Sequence, residues 1–118
     1  MYKLFLDDVR NPKDVKWINL PLGPWVIVRN YHDFVKYITS NGLPEFVAFD
    51  HDLADEHYGA NPVNASFKEK TGYDCAKWMV EYCMDNNKSF PSYVVHSMNP
   101  IGKMNIIALA ESFKNTIK

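Results

Sequence analysis

The sequence predicts an α/β fold with three layers, in which a four-stranded parallel sheet in the order 2-1-3-4 carries helices on both faces. Two observations predict this fold. Short apolar runs that end at polar residues alternate along the chain with longer stretches of helical period. The chain has 118 residues, of which 47% are hydrophobic, and this suits one compact core. We therefore expect a single domain over residues 1–118.

Four apolar runs are predicted to be the strands of the sheet. They are Lys3–Leu6, Trp25–Arg29, Phe46–Phe49 and Tyr93–Val95. Each run is short and largely apolar, as buried parallel strands are.

Three stretches have the apolar spacing of helices. His32–Ser40 is stopped by Asn41-Gly42, and Gly72–Asn87 begins after Thr71, which resembles a capping box with Asp74. A C-terminal helix is marked by one apolar face that consists of Ile106, Leu109, Phe113 and Ile117.

Two stretches are predicted to be loops. Residues 11–24 contain Pro12, Pro21 and Pro24, so the first crossover should hold at most one helical turn. Residues 53–70 are polar and form a long loop, in which His57 is expected to be solvated.

Composition and charge exclude several kinds of partner. The formal net charge of -1 predicts no extended nucleic-acid surface. The first apolar run stops at Asp7 and no later run could span a bilayer, so we expect no membrane contact and a cytoplasmic location. Cys75 and Cys83 lie roughly 12 Å apart along one predicted helix, which is beyond disulfide reach.

Four carboxylates follow the predicted strands at the edge where ligands bind in open parallel sheets. Asp7 and Asp8 follow the first strand and Asp50 the third, while Asp52 lies on the same side as Asp50. Clustered carboxylates repel one another unless a cation neutralises them, and hard oxygen ligands suit Mg²⁺ or Mn²⁺. The alternative is that Asp7 and Asp8 cap loops or pair with Arg10.

A second polar group, His96–Gly102, follows the fourth strand. Asn99 is a suitable cap for the last helix, so free N–H groups at its start would attract phosphate. Gly102 would let a phosphate oxygen approach the backbone, while His96 and Ser97 bring a proton-transfer group and a hydroxyl. The alternative is that His96 is a satisfied polar residue and Asn99 only starts a helix.

The remaining polar candidates have open interpretations. His51 is a base, a metal ligand or an outward-facing residue. Arg10 and Arg29 follow strands one and two and suit either phosphate contact or an ion pair with the acids. The tryptophans are expected in the core: Trp17, Trp25 and Trp78.

Three segments in this order resemble the cyclic-phosphate processing receiver-like domains. They are Leu4–Arg10 (LFLDDVR), Phe49–Leu53 (FDHDL) and His96–Gly102 (HSMNPIG). The resemblance covers nearly the whole chain. It implies a receiver-like, flavodoxin-like fold that is truncated relative to receivers, and processing of nucleotide cyclic phosphates.

The resemblance also implies roles for individual residues. In receivers, two acids after strand one and one after strand three hold Mg²⁺, and Asp7, Asp8 and Asp50 match them, with Asp50 at the phosphoacceptor position. Ser97 matches the receiver hydroxyl, or His96 displaces it. We find no fifth strand with the receiver lysine, which argues against phosphorelay.

Together these features predict a metal-dependent phosphoesterase for a nucleotide-derived or cyclic phosphate. Mg²⁺ or Mn²⁺ would bind the three matched acids, His96 and His51 with Asp52 would be catalytic, and phosphate would contact the following set: Arg10, Arg29, Ser97, Asn99 and Gly102. Two alternatives stay open at this point. One is a non-enzymatic receiver-like module that binds a nucleotide or a protein partner, and the other is a phosphoacceptor switch at Asp50.

Overall fold

A computed structural model describes residues 2–53 and 70–116, and it contains four strands and three α-helices. In chain order, the elements are β1 (Lys3–Leu6), a 3-10 helix (Pro12–Asp14), β2 (Trp25–Val28), α1 (Tyr31–Asn41), β3 (Phe46–Phe49), α2 (Gly72–Asp85), β4 (Ser92–Val95) and α3 (Pro100–Thr116). The predicted strands and helices are confirmed, with small shifts at their ends. Almost all of the predicted polar loop, including His57, lies outside the described residues, as does Ile117 of the predicted last helix.

The sheet has the predicted order, β2-β1-β3-β4, and every pair of neighbours is parallel. Leu6 at the end of β1 pairs with Val28 and with Phe49, and Phe49 pairs with Val95. Because the last residues of all four strands are in register, the residues that follow them form a row along one edge.

The two faces of the sheet are covered differently, and the prediction of helices on both faces was wrong. Buried side chains from all three helices form one cluster with Leu4, Leu6 and Val47. The other face, which includes Phe5 and Ala48, is covered by side chains of the first crossover: Val15, Ile18 and Leu20.

The direction of the crossovers explains this arrangement. The connections from β2 to β3 and from β3 to β4 run the same way across the sheet, so right-handed crossovers place α1 and α2 on the same face. Only the connection from β1 to β2 runs the other way. Its prolines restrict it to one 3-10 turn, so no helix forms there.

Side-chain caps fix where the helices begin. The Asn30 side chain accepts from the Asp33 N–H at 2.8 Å, and Thr71 forms the predicted capping box with Asp74. At the other end of α1, Gly42 has φ 84°, a left-handed conformation that glycine adopts at little cost. The Thr71 cap begins α2 beside the end of β3, where the Gly72 N–H donates to the His51 carbonyl.

The structure also bears on two predictions made from composition. Cys75 and Cys83 are two separate buried thiols, in agreement with their predicted separation along one helix. In the part of the chain that the structure describes, no helix has the length and apolar character needed to cross a bilayer.

Candidate functional site

Backbone hydrogen bonds hold three polar residues in a row at the carboxyl edge of the sheet. Each residue donates its N–H to the last carbonyl of the neighbouring strand: Asp7 to Val28 at 3.2 Å, Asp50 to Leu6 at 3.0 Å and His96 to Phe49 at 2.9 Å. By strand alternation their side chains lie on the face of Phe5 and Ala48, which none of the three described α-helices covers. The fold itself therefore brings these groups together.

Asp7 is fully buried and accepts three hydrogen bonds. Its Oδ1 accepts from the N–H groups of Val9 at 2.9 Å and Arg10 at 2.8 Å, so it caps the loop after β1, as one alternative predicted. Its Oδ2 lies 2.9 Å from Nε2 of His96. Burial raises the pKa of Asp7, but the bonds from His96 and from the two amides outweigh burial and lower it to about 2. Asp7 is therefore an anion.

Asp50 lies between these two residues in the row and is 4% exposed. Its Oδ1 accepts the His51 N–H at 2.9 Å. Burial, followed by the negative charge of Asp7, raises the pKa of Asp50 to about 6, although His96 and the His51 amide lower it in part. The positive charge near Asp50 is therefore too small to stabilise its ionised form.

His96 is fully buried beneath the surface. Its ring stacks on Phe5, with 4.6 Å between centroids and 7° between planes. Because an ionised carboxylate only accepts, Nε2 donates to Asp7, while Nδ1 has no hydrogen-bond partner among the described residues. His96 thus holds Asp7 in place, and its predicted role in proton transfer stays a prediction.

Within residues 2–53 and 70–116, Asp7, Asp50 and His96 form a group suited to a cation. Each offers one ligand atom, and these atoms all lie within 4.8 Å of one another. The predicted metal ligands were Asp7, Asp8 and Asp50. The structure instead places His96 in the group, while Asp8 lines the cleft beside it.

A cleft of about 440 Å³ lies at this edge and collects most of the predicted site. Its walls include six predicted residues: Asp8, Arg10, Asp50, Asp52, Ser97 and Asn99. Val9, Met98 and Pro100 complete its lining. The other predicted residues do not line this cleft.

Arg29 does not face the cleft as a phosphate ligand would. Its Nη1 donates to the carbonyl oxygens of Asp7 at 3.2 Å and Arg10 at 2.6 Å, and its Nη2 donates to Oδ1 of Asn11 at 2.8 Å. These bonds occupy the guanidinium with the loop after β1, so its observed role is to fix that loop. Arg10 is one-third exposed and keeps its guanidinium at the cleft.

The start of α3 differs from the phosphate site predicted there. Asn99 caps the helix as expected, because its Oδ1 accepts the Gly102 N–H at 2.9 Å. Pro100 has no N–H and the Gly102 N–H is taken by Asn99, so Ile101 is the residue whose amide is left for a phosphate oxygen. A Cβ on Gly102 would overlap the ring of His51, so Gly102 makes room for that ring and not for a phosphate oxygen.

His51 and Asp52 form a pair at the end of β3. Nδ1 of His51 lies 2.9 Å from Oδ1 of Asp52, and Nδ2 of Asn99 lies 3.3 Å from the same oxygen. Asp52 lines the cleft, whereas His51 borders a neighbouring cavity of about 850 Å³ between α2 and α3. Asp52 is therefore the member of the pair that faces the cleft.

The chain matches the family model of the cyclic-phosphate processing receiver domain over residues 2–112. It belongs to this family. No curated protein matches the chain, and no solved structure matches it.

This cyclic-phosphate processing receiver domain uses one glycine that the sequence argument missed. Gly72, the first residue of α2, donates its N–H to the His51 carbonyl at 2.7 Å. A Cβ there would overlap the carbonyl oxygen of Asp50, so only glycine lets α2 start this close to β3. A glycine directly after a capping residue is unfavourable for helix formation, and that signal would have identified it.

Trp17 is the second residue whose role in the receiver domain was missed. It was expected in the core but is 45% exposed. Its Nε1 donates to the His96 carbonyl at 2.8 Å, and the Arg10 guanidinium lies 5.2 Å from its ring. Trp17 is exposed because the crossover that carries it forms no helix. Trp25 and Trp78 are partly buried and pack on the two core clusters.

Proposed function

We propose that this domain hydrolyses a nucleotide-derived or cyclic phosphate in the cleft. A divalent cation would be held by Asp7, Asp50 and His96, which we call the strand-end row. The observation that carries the proposal is the convergence of Asp7, Asp50 and His96 within 4.8 Å, beside a cleft lined by Arg10. The family is associated with cyclic-phosphate processing, which supports the substrate class.

The residues at this edge fit a divalent cation. Asp50 has a pKa raised to about 6 by burial and by Asp7, a condition that a nearby cation would relieve. Nδ1 of His96 is a buried nitrogen with no hydrogen-bond partner among the described residues. Two carboxylates with one imidazole suit Mn²⁺ better than Mg²⁺, which prefers oxygen ligands alone. Asp7, Asp50 and His96 would hold the ion, which when bound would polarise the phosphate and lower the pKa of a bound water.

Arg10 and Ser97 are suited to bind the phosphate. The side chain of Arg10 is 33% exposed at the cleft, and its Nη1 is 3.7 Å from Oδ2 of Asp7, so it can reach an anion above the row. Ser97 Oγ accepts the Asn99 N–H at 3.1 Å, which leaves its hydroxyl proton to donate. These two donors would orient the phosphorus towards the acids.

Asp52 is suited to move the proton. Its Oδ1 accepts from His51 and Asn99, whereas its Oδ2 accepts no hydrogen bond from the described residues and lies on a carboxylate in the cleft wall. As water attacks, a new P–O bond forms, the ester P–O bond breaks, and Asp52 takes the water proton and returns it to the leaving oxygen. His51 and Asn99 would act as positioning residues for Asp52.

A non-enzymatic binding module is the second candidate, and one observation favours it. The imidazole that follows β4, His96, is fully buried and stacked on Phe5, so it is not placed to exchange a proton directly with a ligand in the cleft. A phosphoacceptor switch is not favoured, because Asp50 is 4% exposed and its raised pKa weakens it as a nucleophile.

A substrate screen tests the enzyme. The protein is incubated with cyclic mononucleotides, RNA ends with terminal cyclic phosphate, and cyclic dinucleotides, with Mn²⁺ or Mg²⁺, and products are separated by chromatography. We expect turnover of at least one class, and Asp52→Asn should lower its rate by roughly a hundredfold to ten-thousandfold. Asp85→Asn, an exposed acid at the end of α2, is the matched control. If the protein bound the ligand tightly but did not convert it, the phosphoesterase would be refuted and the binding module supported.

A further inference from the structure

Large apolar side chains lie exposed around the charged cleft. Val9 is 68% exposed and Met98 is 66% exposed, and both line the cleft. Trp17 is 45% exposed and contacts Arg10, which lines the cleft. Single exposed apolar residues are common, but three around one anion-binding cleft form an apolar rim. We call Val9, Trp17 and Met98 the apolar rim.

Trp17 is held in a fixed orientation. Its indole N–H donates to the His96 carbonyl at 2.8 Å, directly after β4. An exposed aromatic ring that is already fixed loses little conformational entropy when a planar ligand stacks on it. The ring therefore has both the area and the preorganisation of a stacking surface.

Arg10 connects the rim to the acidic floor. Its Nη1 is 3.7 Å from Oδ2 of Asp7, its Nη2 is 3.8 Å from Sδ of Met98, and its guanidinium lies 5.2 Å from the Trp17 ring. A ligand whose phosphate pairs with Arg10 thus has Trp17 and Met98 next to its remaining substituent. A purely inorganic or sugar phosphate would leave these apolar surfaces in water.

We propose that the apolar rim binds the nucleobase of the ligand, with Trp17 as the main stacking residue, so that the cleft selects nucleoside cyclic phosphates over cyclic phosphates without a base. This inference rests on the proposed function for the phosphate end of the ligand. Base-to-aromatic stacking supports it, because every base offers a planar face and Arg guanidinium planes stack on bases as well.

Three probes and three variants test the rim. The probes are adenosine 2′,3′-cyclic phosphate, methyl ribofuranoside 2,3-cyclic phosphate, which lacks the base, and adenosine, which lacks the phosphate. Calorimetry in the presence of a chelator, which withholds the cation that hydrolysis requires, gives each dissociation constant, and chromatography afterwards confirms that the ligand is intact. Trp17→Leu removes the aromatic face, whereas Trp17→Phe keeps a face but removes the bond to His96. Leu22→Ser is the control, since Leu22 is 89% exposed in the same crossover.

The wild-type protein should bind the base-bearing cyclic phosphate more tightly than the base-free one, by roughly fivefold to a hundredfold, the usual worth of one stacked base. Trp17→Leu should remove most of this preference, Trp17→Phe only part of it, and Leu22→Ser none. The affinity for the base-free probe should stay the same in all three variants.

Different failures have different meanings. Equal binding of the two cyclic phosphates by the wild-type protein would refute base binding by the apolar rim but would not affect the proposed function. Equal weakening of both by Trp17→Leu would also refute base binding by the rim, because a merely structural tryptophan has that effect. A Trp17-dependent base preference, combined with no hydrolysis after Mn²⁺ is added, would support the rim and refute the phosphoesterase. If none of the three probes bound, with or without Mn²⁺, both proposals would be overturned.

Discussion

Nε2 of His96 lies 2.9 Å from Oδ2 of Asp7, and neither side chain is exposed to solvent. In the sheet, β1 and β4 are separated by β3, so this bond crosses the strand that carries Asp50. Asp7 and His96 therefore enclose Asp50 from both sides. The bond fixes the separation of the outer members of the row.

Removal of this bond should destabilise the domain. His96→Ala removes one of the three hydrogen bonds to the buried Asp7 carboxylate and leaves a cavity beside Phe5, so we expect a loss of about 3–5 kcal/mol in the free energy of unfolding. Urea denaturation measures it. His32→Ala, at an exposed position in α1, should cost less than about 0.5 kcal/mol. A similar small loss for His96→Ala would show that the bond contributes little.

Asp50 should make the cation-free protein less stable as the pH rises. Its pKa is about 6 in the folded state, above the ordinary value of 3.8, so the folded state binds the proton more tightly. Its favourable contribution is thus complete below pH 3.8 and is lost as the pH rises through 6. Asp50→Asn should match the wild type near pH 4 and be more stable by about 1–3 kcal/mol at pH 7.

Chelator-treated protein and denaturation at several pH values measure this difference. Glu81→Gln, an exposed acid on α2, should differ from wild type by the same small amount at both pH values. A stability gain for Asp50→Asn that does not change with pH would refute the raised pKa. The opposite sign would mean that ionised Asp50 is stabilising.

Gly72 and Gly102 both lie in the first turn of a helix, but they should respond differently to substitution by alanine. Gly72→Ala places a methyl group on the Asp50 carbonyl, so the backbone must move, and we expect a loss of at least about 2 kcal/mol. In Gly102→Ala the nearest atoms to the new methyl group are those of the His51 ring, and the higher helix propensity of alanine offsets that strain by about 1 kcal/mol. Gly102→Ala should therefore fold nearly as well but move His51.

Thermal unfolding compares the two stabilities, and the NMR shifts of the His51 ring report its position beside Asp52. Equal losses in both variants would contradict the distinction between backbone overlap and side-chain overlap. An unchanged His51 spectrum in Gly102→Ala would show that the ring does not depend on the glycine.

The sequence predicted the position of the site better than its contacts. Asp7, Asp50 and His96 were found because residues after parallel strands meet at one edge, and this depends only on strand order. The roles of Arg29 and Gly102 depend on which neighbour fills the adjacent space, the loop carbonyls in one case and the His51 ring in the other. Sequence spacing carries no information on those neighbours.

The exposure of Trp17 was unpredictable for a related reason. Large aromatic side chains usually contribute to a core, but the crossover that carries Trp17 forms no α-helix and leaves this ring beside the cleft. The same absence explains why helices cover one face only.

Calorimetric titration of Mn²⁺ tests the central claim most directly, because it asks whether the strand-end row holds a cation. The wild-type protein, stripped with a chelator, should bind one Mn²⁺ per chain. Asp50→Asn and Asp7→Asn should each abolish this binding, since each removes one of the two carboxylates, and Glu81→Gln should retain it. Unchanged Mn²⁺ binding in Asp50→Asn and Asp7→Asn, or no binding by the wild type, would contradict the account.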